Sequence, residues 1–167
     1  MSNHADLPGH NPHDLREHDQ VLAERFGVTI ERFWVAGVRD GGPTEINGGH
    51  LRRSHPVISG GIDYQPVSSV VVNNFSAIRS APQHGLISYP PSMREHRTGI
   101  SLHGVHFAVA LEPDKYRHEG KKGRVIVTAN SGFVGTTGTS KPGPGLYDLG
   151  DNSQFALNCI RWLANEI

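Results

Sequence analysis

Gly123-Arg124-Val125-Ile126-Val127-Thr128-Ala129-Asn130-Ser131-Gly132-Phe133 is the stretch whose reading decides the fold class. Residues 124–129 form a short apolar run rich in β-branched side chains, the composition of a buried strand. Gly132 marks a turn at its carboxyl end. Beyond Pro142-Gly143-Pro144-Gly145, which is turn chemistry, Asp151-Asn152-Ser153-Gln154 opens a closing helix through Phe155, Cys159, Trp162 and Leu163. Asp151 with Gln154 three residues on has the pattern of a capping box, with an acidic side chain at the positive helix end. Strand, loop and return helix are the unit from which open α/β sheets are built. The expected fold is therefore a three-layer, flavodoxin-like α/β domain with a mainly parallel sheet.

Working outward, Asn11-Pro12 is a helix entry, with Asn11 as cap and Pro12 at the first helical position. Leu15, Val21, Leu22 and Phe26 then give an apolar face, and Gly27 sits where that helix should stop. Residues 28–34 alternate roughly as a strand, whereas 37–55 are polar and glycine-rich with no readable element. Val70-Val71-Val72 predicts a strand within 68–75, covered on both faces. Residues 82–98 read as irregular, with Pro82, Pro90 and Pro91. Residues 101–111 read as a strand, and 112–123 as a charged solvent turn. Burial of the large side chains on the last helix contributes roughly 1.5–3 kcal/mol each.

The chain has 167 residues, enough for one domain with a real core. Sixteen basic residues balance sixteen acidic ones, so no general field draws it to nucleic acid or to an anionic membrane. Its single cysteine, Cys159, excludes an internal disulfide and fits a reducing compartment. Met1-Ser2-Asn3-His4-Ala5-Asp6 lacks the basic and apolar regions of a signal peptide, and no stretch approaches the apolar length of a membrane span. A soluble, cytoplasmic protein is the expectation.

His55-Pro56-Val57-Ile58-Ser59-Gly60 resembles the His-Pro-hydrophobic-x-x-Gly segment of ThuA-like domains, a branch of the class I glutamine amidotransferase-like superfamily. The stretch from Phe107 through Gly123-Arg124-Val125 to Asn158-Cys159-Ile160-Arg161-Trp162 is similar to their closing strands and helix. Leu22-Ala23-Glu24-Arg25-Phe26-Gly27 is similar to the segment after their central strand. These motifs cover most of the chain. Met1 to Asp6 resembles the end of that central strand and the loop after it. The resemblance thus implies that residues 1–167 are one α/β domain corresponding to the C-terminal two-thirds of such a domain, without its first strands. An exposed sheet edge would follow, and with it a homo-oligomer.

Glutamine amidotransferase chemistry needs a cysteine on a tight strand-to-helix turn with a histidine base. Cys159 instead lies inside the last helix, so that activity is not expected. The resemblance implies a small polar, carbohydrate-derived ligand at the carboxyl ends of the strands. Asn3, His4 and Asp6 would there face Asn130, Ser131 and Gly132, with His4 as acid/base and Asp6 orienting it. A non-catalytic binding or structural module is the alternative, and whether the chain is an enzyme stays open. A third reading is a metal-dependent hydrolase. His4, Asp6, His10 and His13 are residue types that hold zinc, iron or manganese, although their spacing also suits a solvated terminus. The sequence requires no cofactor, and a divalent metal is the one it could accommodate. His103 and His106 fall on opposite faces of the 101–111 strand and cannot chelate one ion together.

Overall fold

The computed structural model describes residues 15–31, 35, 43–72, 76–95, 98–112, 123–130, 132–135 and 145–167. In chain order its elements are α1 (Leu15–Glu24), β1 (Thr29–Ile30), β2 (Thr44–Asn47), α2 (Pro56–Ser59), β3 (Ser69–Val72), β4 (Ile78–Arg79), β5 (Gly85–Ser88), β6 (His106–Leu111), β7 (Val125–Thr128) and α3 (Asn152–Leu163). The chain is an α/β protein. None of the described helices is long and apolar enough to cross a membrane.

The first helix stops where its sequence says it should. Gly27 takes φ +69°, its N–H donates to Glu24 O at 3.0 Å, and Val28 N–H donates to Ala23 O at 3.1 Å. These are the paired bonds of a Schellman motif. Gln20 Oε1 accepts from Ile30 N–H at 2.6 Å and ties α1 to β1. The expected cap, Asn11 with Pro12, lies outside the described residues.

β6 is the centre of the main sheet. It pairs with β4 through His106 and Ile78, with β5 on its other side, and with β7 from Ala108–Thr128 to Leu111–Val125. β1 adds to β4, and all six residues of β6 are buried. β2 and β3 form a separate two-stranded ribbon, from Thr44 opposite Val72 to Asn47 opposite Ser69.

All pairings among the described strands are antiparallel. This corrects the expected mainly parallel, flavodoxin-like sheet, and the connections give the reason. A parallel neighbour needs a long crossover, usually a helix between two strands. Here α1 precedes β1 and α3 follows β7, so the four-residue α2 is the one described α-helix between strands. The closing strand, loop and helix exist, but among the described strands β7 has no parallel neighbour.

Local readings change in four places. The unreadable 37–55 contains β2 and a 3-10 turn at Gly48–His50, and the irregular 82–98 contains β5. The 101–111 strand is shortened because Gly104, at φ +77°, sits in a turn closed by Val105 N–H to Leu102 O. His103 is therefore exposed in that turn, and buried His106 opens β6. β7, expected to be buried, has Val125, Ile126 and Val127 only half-buried, since β6 is its one partner among the described strands.

The start of α3 also departs from the capping-box reading. Asp151 makes no side-chain bond to its own helix. Its Oδ2 accepts from the N–H groups of Ser68 and Ser69 at 2.6 and 3.2 Å, while Gln154 donates to Asn158. Asn152 bridges to Val71, and Asn158 donates to the carbonyls of Val57 and Gln65. Three polar residues in the first two turns thus bind the ribbon and α2 to a helix whose Phe155 and Trp162 fill the core. Distant amides outcompete local capping because they would otherwise be left without partners.

Candidate functional site

α1 and α3 present matching stripes toward β7. On α1 and the turn after it these are Asp19, Leu22, Ala23 and Phe26; on α3 they are Ala156, Cys159, Ile160 and Leu163. Both follow the i, i+3, i+4, i+7 spacing that puts side chains on one helical face. Val125, Ile126, Val127 and Thr128 of β7 line the space between them, with Ile30 and Phe133 completing the lining. This half-open groove measures about 300 Å³.

Ala23, Cys159, Thr128 and Phe133 are buried in its walls, while Leu22, Ile160 and Leu163 are exposed. Phe133 is turned inward by its neighbours. Its ring lies 5.8 Å from that of Phe107 and 5.3 Å from that of Phe155. Asp19 and Thr128 are the polar side chains of a lining that is otherwise carbon and one thiol. Burial pushes the Cys159 thiol up to about 12, so it stays protonated and unreactive at neutral pH. The site can take an apolar body but offers no activated nucleophile. A wholly apolar cavity of about 150 Å³ holds one benzene, so this space suits a molecule of roughly twice that size.

Of the predicted site residues, Asn3, His4, Asp6, His10, His13 and Ser131 lie outside the described residues. Asn130 is buried just after β7, and Gly132 opens the 3-10 turn that carries Phe133. The loop after β7 therefore does reach the cavity, through an aromatic ring. Among the described residues, no group of three or more His, Cys, Asp or Glu side chains could hold a metal ion.

Two arrangements escaped the sequence. His55, seen there only as part of a motif, caps α2: its Nδ1 accepts from Val57 N–H at 3.2 Å. Its buried ring lies 5.0 Å from that of Trp162, and Nε2 is 3.6 Å from Glu112 Oε1. Arg124 covers Trp162 at 4.9 Å and donates to the carbonyls of Trp162 and Ile167. The second arrangement pairs serines with histidines, Ser80 with His84 and Ser88 with His106, each with Oγ to Nδ1 at 3.0 Å. His-Pro before an apolar pair was a legible signal for the first. In the second, Ser80–His84 spans four residues of one turn, whereas Ser88–His106 depends on β5 and β6 lying side by side and has no local signature.

No protein-family model, curated protein or solved structure matches the chain.

Proposed function

We propose that this protein is a non-catalytic binding module that seats a small apolar molecule between α1, β7 and α3. The observation that carries the reading is the cavity of about 300 Å³ faced by two helical stripes at matching spacing. Ligand sites of this kind are concave and mostly apolar, with a few polar groups to orient the guest. The protonated, buried Cys159 supports a binding role over covalent catalysis. For the polar, carbohydrate-derived ligand suggested by the resemblance, Asn130 is the one described side chain, and it is buried.

Titration with a neutral fluorescent naphthylamine tests the proposal. Saturable binding of one probe per chain is expected, competed by naphthalene or indole. Ala156→Trp fills the cavity from α3 and should abolish that binding while circular dichroism shows an intact fold. Absence of saturable binding, or equal binding by folded Ala156→Trp protein, would overturn the reading.

A further inference from the structure

Two buried histidines lie away from the cavity and take no part in the proposed binding. His84 ends the 3-10 turn Pro82–His84, and His106 opens β6; both are less than a tenth exposed. The His106 ring packs against Gly85 so closely that a Cβ there would sit 2.5 Å from Cε1 and 2.7 Å from Nδ1. Gly85 directly follows His84, so both imidazoles belong to the point where β4, β5 and β6 meet. Ile78 is opposite His106 on one side and Ser88 on the other. The β5–β6 register shifts on both sides of Ile87, so this ladder has few regular pairs to resist opening.

We propose that His84 and His106 form a proton-sensing pair that loosens β5 from β6 as the pH falls below neutrality. A proton on either ring puts charge where little water can solvate it, next to a second ring able to acquire the same charge. Burial first, and His84 second, hold His106 below its ordinary value of 6.5. The folded value thus lies beneath the unfolded one, and the opened strand takes up the proton more readily. Stability from this source is whole above about pH 7.5 and is lost as pH falls through 6.5 toward the folded value.

The surrounding elements supply other charges. Arg79 on β4 is held by Glu31 at 2.7 Å, and exposed His103 precedes β6. Arg52 donates from its side chain to Gln83 O and from its N–H to Leu86 O on β5. β5 itself, and the rest of β6, carry no charged side chain. Leu51 also bridges to Ile87, so opening β5 would release the segment that leads into His55 and α2.

Amide hydrogen exchange at about pH 7.5 and about pH 5.5, corrected for intrinsic rates, tests the pair. Protection of Gly85–Ser88 should fall by about tenfold more than protection of Val125–Thr128. His106→Gln should remove most of that difference. His84→Gln, which removes the neighbouring charge together with the ring's contact to Ser80, should reduce it and bring the His106 imidazole titration, followed by NMR, closer to 6.5. If His106→Gln does not fold, His84→Gln decides alone. Equal loss of protection in both strands, or a difference unchanged in the folded variants, would overturn the proposal.

Discussion

Replacing Asn152 with alanine should be among the most damaging polar substitutions in this protein. Asn152 is fully buried at the first position of α3. Its Nδ2 donates to Val71 O and to Leu146 O, each at 2.7 Å, and its Oδ1 accepts from Val71 N–H at 2.9 Å. The carboxamide therefore behaves as a one-residue strand along the outer edge of β3, opposite the side on which Glu45 pairs with Val71. Alanine leaves three backbone groups without that partner. At roughly 0.5–1.5 kcal/mol for each net bond, with part of the desolvation penalty added, the loss comes to about 3 kcal/mol. Asn152→Asp keeps the size but faces two carbonyls with an acceptor and buries a charge, so at neutral pH it should lose at least as much. That variant should recover in acid. Its folded carboxyl binds a proton more readily than its unfolded one and then regains a donor. Urea unfolding followed by far-ultraviolet circular dichroism and tryptophan fluorescence reads both effects. A loss below about 1 kcal/mol for Asn152→Ala with unchanged slope would refute the reasoning. Water would then be replacing the carboxamide, and the join between α3 and β3 would not depend on it.

Two further outcomes follow from the same structure. Cys159, with its thiol raised from 9.0 to about 12, should be alkylated by iodoacetamide at pH 8 about a thousandfold more slowly in native than in urea-unfolded protein; similar rates would mean that α3 frays around it. Gly60→Ala should cost about 2–4 kcal/mol, because φ is +80° and the new Cβ would meet the backbone carbonyl oxygens of Tyr64 and Gln65, the latter at 2.6 Å. Gly48→Ala, at φ +61° with nothing within 4 Å, should cost only about 1–2 kcal/mol. Equal losses for the two glycine variants would show that strain, rather than the close approach, sets the cost.

The parts of this protein legible in its sequence are those decided within a few residues. Gly27 stops α1 because its positive φ suits a residue without a Cβ. Val125 to Thr128 is a strand because β-branched side chains fit a pleated surface. The wide apolar face of residues 152–163 reads as a packed helix, and Cys159 within it reads as a packing residue, because helical spacing is local. The stripes 19, 22, 23, 26 and 156, 159, 160, 163 could likewise be read one helix at a time. Their meeting across β7 could not.

Direction and partnership were decided only in three dimensions. A strand's composition does not say whether its neighbour runs with it or against it. That depends on what connects the two, and here the long helices fall before the first described strand and after the last. Asp151 carried a sequence pattern for capping its own helix, but its carboxylate went to Ser68 and Ser69, 83 and 82 residues away. His84 and His106 became a pair because β5 and β6 are neighbours, although 22 residues separate them in the chain. Such choices follow from the need of every buried donor, acceptor and apolar surface to find a counterpart. Local sequence can state that need, and only the assembled core determines which counterpart meets it.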